Sequence, residues 1–131
     1  MVVCAATSSW SPVFDGRWVK SGAHVNGIGS FTPRMQELDE NLIGRARVFV
    51  DSREAALAEA GDLLLASAAG RTRPEDWTAI GEVLVGRQPG RQSPEEVTLF
   101  KSVGLAVQDV TAAARAVEEA ERLGLGTRLE L

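Results

Sequence analysis

Three features of this 131-residue chain predict an α/β fold. Three short apolar segments fill its first half, at residues 2–6, 23–28 and 47–51, and each closes in a polar or glycine-containing turn. Near-continuous apolar strands of this kind suit a parallel sheet covered on both faces, with the polar turns at the carboxyl ends of the strands. The second half carries apolar residues mostly at helical spacing. The architecture expected is the second half of a Rossmann-like doubly wound sheet followed by C-terminal helices. Residues 1–72 form the sheet half and residues 73–131 the helical segment.

The first strand, residues 2–6, gives way to Thr7, Ser8 and Ser9, and its Cys4 is expected to be a small buried hydrophobe. Asp15 and Gly16 mark a turn, after which Trp18 and Val19 are expected to pack under the sheet. The second strand, residues 23–28, is closed by Gly27 and Gly29. Pro33 opens either a helix through Leu38 and Leu42 or an irregular piece. Residues 47–51 are the third strand. Asp51 then starts a helix, with Glu54 three residues on in the capping-box arrangement. Ala55, Leu57, Ala58, Leu63, Leu64 and Leu65 supply its apolar face, and Gly61 is its weak point.

Trp77, Ile80, Val83 and Leu84 share one face of a further helix, and this stripe is expected in the core. Residues 97–100 have strand composition behind a helix-like start at residues 93–96, and both readings stay open. The longest helix spans residues 103–123. Its Val103, Ala106, Val110, Ala113, Ala114, Val117 and Ala120 form one face, whose alanines permit close approach of another element. Gly124 and Gly126 end it.

Composition excludes several function classes. Fourteen basic against eighteen acidic residues give a formal charge of −4 without a basic stripe, which argues against nucleic acid or an anionic membrane as partner. One cysteine allows no internal disulfide, in keeping with a reducing, cytoplasmic compartment, and one histidine cannot build a histidine–cysteine zinc set. No apolar run reaches the roughly 20 residues that span a bilayer, and the first residues do not have the pattern of a signal peptide.

Candidate chemistry collects at the strand ends. His24 is either a general base or a hydrogen-bonded structural histidine, and Asn26 shares its strand face. The turn Gly27-Ile28-Gly29-Ser30 does not have the spacing of a dinucleotide fingerprint. Its glycines suit backbone approach to a flat ligand and equally a plain tight turn. Thr7, Ser8 and Ser9 either offer hydroxyls to a ribose or phosphate or form a capped polar loop. Glu59 and Asp62 are candidates for acid, base or ammonium anchor, against the ordinary solvated state of helical carboxylates. Lys101 and Ser102 precede the long helix, whose N-terminus favours anionic groups.

Taken jointly, GAHVNGIGS at 22–30, ELD at 37–39, VFVD at 48–51, IGEV at 80–83 and TLFKSVGLAVQD at 98–109 resemble the ornithine cyclodeaminase/mu-crystallin family. The likeness runs through essentially the whole chain but spans only about the C-terminal two-fifths of a family member. It implies a Rossmann domain carrying NAD or NADP, joined to a substrate and dimerisation domain to which the C-terminal helix returns. The chemistry implied is hydride transfer at the carbon bearing an amino or imino group of a small amino or imino acid, in a homodimeric parent enzyme. By resemblance, Thr7, Ile28, Gly29, Ser30 and Ser102 contact the cofactor, and Phe31, Glu59 and Val103 border the substrate.

Ornithine cyclodeaminases carry an aspartate where this chain has Phe31, and an aromatic ring neither accepts a proton nor pairs with an ammonium as a carboxylate does. The resemblance therefore favours a ketimine or pyrroline-carboxylate reductase or an alanine dehydrogenase-like enzyme. Ornithine cyclodeamination, with Glu59 substituting, and ligand binding without catalysis are the alternatives. The phosphate loop, the residue selecting NAD or NADP and the groups holding the substrate carboxylate are expected upstream of Met1. The chain is thus expected to be a fragment, inactive alone.

Overall fold

The computed structural model describes residues 1–129. Five strands, β1 (Val2–Ala5), β2 (His24–Gly27), β3 (Arg47–Val50), β4 (Thr78–Ala79) and β5 (Thr98–Lys101), form one sheet in the order β1-β2-β5-β3-β4. Every neighbouring pair is parallel. The segment at 97–100 is thus resolved as a strand: β5 enters between β2 and β3, with Leu99 opposite both Val25 and Val48. A uniformly parallel sheet sends the carboxyl ends of all its strands to one edge, which is where such sheets bind ligands.

The helices are α1 (Glu40–Ile43), α2 (Arg53–Glu59), α3 (Gly61–Ala68), α4 (Ile80–Leu84) and α5 (Ala106–Leu123). Leu38, Leu42, Ile43 and Leu63 join Val25, Val50 and Leu99 in a core on one side of the sheet. On the other side Val2 and Cys4 are exposed, so the expected cover of both faces fails along β1, and Cys4 is not a buried hydrophobe. Alternation explains this: Val2 and Cys4 stand opposite His24 and Asn26, turned away from the core that Val25 enters.

His24 on that second face is held by a hydrogen-bonded chain. Arg91 Nη2 donates to Thr98 Oγ1 at 2.9 Å, and Thr98 and Asn26 Oδ1 flank the imidazole at 2.8 and 3.1 Å. Asn26 Nδ2 in turn donates to Cys4 Sγ at 3.5 Å. The imidazole is satisfied by side chains of its own and the neighbouring strand and stands at the amino end of β2, away from the carboxyl edge, which is the structural reading of this histidine.

Several local expectations shift. Pro33 opens turns, not a helix, and α1 begins only after Asp39, whose carboxylate caps Leu42 N–H at 2.9 Å. The helix expected after β3 breaks at Ala60 into α2 and α3, because Gly61 is pressed against backbone. A Cβ there would collide with Met35 O and Thr32 O. Of the stripe expected in the core only Trp77 is fully buried, and it precedes β4, off any α-helix; Ile80 and Val83 are half-buried and Leu84 is exposed. Trp18 is exposed and only Val19 reaches the core. Residues 103–105 are not helical, and every residue of α5 from Ala106 to Glu118 is exposed.

The core also contains a charge pair. Lys101, at an inward position of β5, and Asp62, in the first turn of α3, are both fully buried, with Nζ 3.3 Å from Oδ2. Lys101 Nζ donates to Gly27 O at 3.2 Å, and Asp62 Oδ1 accepts the N–H groups of Glu37 and Leu38 at 2.7 and 3.0 Å. Burial pushes the Asp62 carboxyl up and the Lys101 ammonium down, each opposed by the partner's charge.

Removing one member of such a pair strands the other. Asp62→Asn keeps an acceptor for the two amides but leaves the ammonium uncompensated, and is expected to cost about 3–5 kcal/mol. Asp62→Asn combined with Lys101→Met should recover most of that loss. Urea unfolding followed by Trp77 fluorescence measures both, and equal losses in the single and double variants would refute the charge-pair account.

Candidate cofactor and substrate site

Two carboxylates organise the carboxyl edge. Glu37, from the turn before α1, is fully buried. Its Oε2 accepts the Thr7 N–H at 2.8 Å and the Thr7 hydroxyl at 3.0 Å, and its Oε1 accepts the Gly29 N–H at 2.7 Å. One side chain thus ties the loop after β1 to the loop after β2. Burial pushes the Glu37 carboxyl up, but the donors from Thr7 and Gly29 and the Lys101 charge prevail and hold it below the ordinary glutamate range.

Gly29 makes the junction possible. A Cβ on it would fall inside contact distance of Thr7 O and Thr7 N, and 2.6 Å from Glu37 Oε2. Gly27 likewise accommodates Leu38, whose Cδ1 would lie 2.7 Å from a Cβ there. Both glycines admit other parts of the protein, so a ligand would lie over this junction and not within it. Ser30 is buried, with its hydroxyl donating to Met35 O at 2.9 Å, whereas Ile28 and Phe31 on either side are 43% and 53% exposed.

Asp51 builds the second half of the edge. Its Oδ2 accepts Ser102 Oγ at 2.8 Å and the N–H groups of Val103 and Gly104, each at 3.0 Å, while Oδ1 accepts Ser52 N–H at 2.8 Å. Three donors from the loop after β5 therefore draw Asp51 away from helix capping. Ser52 caps α2 in its place, its hydroxyl accepting Ala55 N–H at 3.3 Å. Ser102 is buried and α5 begins at Ala106, so the serine does not lie at a helix N-terminus. Val103 is half-buried beside it.

The parallel sheet brings Thr7, Ile28, Gly29, Ser30 and Phe31 to one part of the edge, and Ser102 and Val103 to the end of the neighbouring strand β5. Glu59 ends α2 and is exposed. Asp62, read as an acid, base or ammonium anchor or else as an ordinary solvated carboxylate, is buried against Lys101. The roles of Glu37 and Asp51 were not read from the sequence. For Lys101 a signal existed: with Leu99 inward, strand alternation places residue 101 inward too, and an inward lysine demands a carboxylate.

Residues 1–123 match the family model described as the ornithine cyclodeaminase/mu-crystallin family. A Delta(1)-pyrroline-2-carboxylate reductase of Bacillus cereus is 44% identical over 131 residues, covering 98% of this chain and 40% of the relative. The ketimine reductase mu-crystallin of Mus musculus is 43% identical over 112 residues, covering 86% of this chain and 33% of the relative. Among solved structures, the Thermococcus litoralis Delta(1)-pyrroline-2-carboxylate reductase in complex with NADH and L-proline superposes with a TM-score of 0.88 at 34% identity. It matches 98% of this chain and 40% of its own. The chain thus spans about two-fifths of the length of the first of these relatives. With the family model matching residues 1–123 and a relative 44% identical over 98% of the chain, the chain belongs to the ornithine cyclodeaminase/mu-crystallin family.

Proposed function

We propose that the carboxyl edge of the sheet is the nicotinamide-side wall of an NAD(P)-dependent imine reductase or amino-acid dehydrogenase. Its substrate is a small amino or imino acid, reduced or oxidised at the α-carbon. The observation that carries this reading is the junction of Thr7 and Gly29 on Glu37, with the apolar side chains of Ile28 and Phe31 exposed beside it. The cofactor, when bound, supplies or accepts hydride at the substrate carbon, with a proton passing to or from the substrate nitrogen.

The residues present suit one end of that cofactor. No G-x-G-x-x-G occurs in the sequence, so the phosphates are not assigned to these residues. Ile28 offers an apolar side chain to a flat ring, while Gly29 and the buried Ser30 hold the turn in shape. Ser102 and Val103 are pinned by Asp51, Val103 on the substrate side. Phe31 stands where a cyclodeaminase's aspartate would be, and supplies apolar surface that displaces water from the substrate without pairing with an amine. Glu59, exposed at the end of α2, is the carboxylate assigned to the substrate side. The exposed valines of α5 (Val107, Val110 and Val117) support its packing against a substrate and dimerisation domain in a homodimer.

Two outcomes are expected, measured both on this chain and on any longer product that its reading frame encodes. NADH or NADPH should bind the longer product with enhanced nicotinamide fluorescence. Ile28→Asp should weaken that binding at least tenfold, about 1.4 kcal/mol, at an unchanged melting temperature. Undiminished binding would remove Ile28 from the wall. In activity assays, pyrroline-2-carboxylate or pyruvate plus ammonia should consume the reduced cofactor, and ornithine should release little ammonia. Proline and ammonia formed from ornithine at a comparable rate would overturn the reading of Phe31.

A further inference from the structure

We propose that Glu37 is a positioning residue of this wall: its carboxylate, braced from behind by Asp62 and Lys101, sets the spacing of the loops after β1 and β2, and with it the shape presented to the nicotinamide. The occupant named here rests on the cofactor reading above; the bracing rests on geometry alone.

Among the described residues, Glu37 is the side chain that bonds to both loops, using both carboxylate oxygens against three donors. It is wholly buried, so water does not substitute for a lost partner. Its main chain is fixed as firmly as its tip. The N–H groups of Glu37 and Leu38 both end on Asp62 Oδ1. Lys101 pairs with Asp62 through Oδ2 and donates to Gly27 O, two residues before Gly29. The contacts therefore close a ring from β2 through Lys101, Asp62 and Glu37 back to the loop that leaves β2. Asp62 Oδ2 makes no aligned hydrogen bond among the described residues, so charge attraction holds that link.

A ring of this kind is specific in length and charge. Glutamine has the length of Glu37 but presents an amide NH2 to one of the two loops, where an N–H already points. It keeps one junction and loses the other. A residue that only filled space would tolerate the exchange.

The test compares the unmodified chain with Glu37→Gln and, as a milder change that keeps the buried carboxylate, Thr7→Val. Amide hydrogen exchange is read by NMR at positions 7 and 29 and, as strand controls, at Val25 and Leu99, alongside NADH titration of the longer product. Glu37→Gln should speed exchange at Thr7 or Gly29 at least tenfold beyond the controls and weaken NADH binding at least fivefold. Thr7→Val should give a smaller change confined to position 7. Equal acceleration at loops and strands would make Glu37 an ordinary core residue and overturn the proposal, as would unchanged exchange at both loops. Selective loosening of the loops with unchanged NADH affinity would uphold the bracing and refute the nicotinamide as occupant. Should Glu37→Gln not fold, unchanged exchange at position 7 in Thr7→Val would itself overturn the bracing.

Discussion

Lys101 and Asp62 face each other across 3.3 Å in a part of the molecule from which water is shut out, and much of the carboxyl edge is arranged around them. An ion pair in such a place yields little net stability, because desolvation offsets its attraction. What it provides is a fixed point. α3 is tied to β5, the turn before α1 is tied to α3, and through Glu37 that turn holds the first two strand ends together. A purely apolar contact would tolerate sliding, whereas these directional contacts set one arrangement.

The same logic recurs on a smaller scale at Asp51. A carboxylate that could have capped the following helix instead gathers a serine hydroxyl and two amides from the loop after β5. Both halves of the edge thus use an anion to collect backbone N–H groups from a neighbouring strand end. Loops held in this way have few conformations left to lose when a ligand arrives, which is the physical content of a preorganised site.

The first three strands were legible because their apolar runs are dense and end in turn residues, and the glycine turn at 27–30 marked the edge correctly. The two-residue β4 is hidden inside a segment with helical spacing, and the composition around β5 leaves helix and strand both open. Long-range electrostatics were not legible in the same way. Glu37 and Asp62 look like ordinary helical or loop carboxylates until the fold places them 25 residues apart in sequence but one hydrogen bond apart in space. The break at Ala60, before Gly61, and the loss of helix at 103–105 also have tertiary causes. One comes from the carbonyls of Thr32 and Met35, the other from the pull of Asp51 on Val103 and Gly104. Cys4 was misread because apolar composition alone does not say which strand face is covered.

The exposed α5 has a thermodynamic consequence. An 18-residue helix that, among the described residues, is exposed from Ala106 to Glu118 lies near the limit at which propagation outweighs nucleation in water, even when rich in alanine. For the described residues taken alone, its ordering is only loosely coupled to that of the sheet, and helix and sheet do not form one cooperative unit. Far-ultraviolet circular dichroism would report a gradual helix–coil change laid over the sharper transition of the body around Trp77. A single melting temperature taken from it would average two processes that do not share an equilibrium constant.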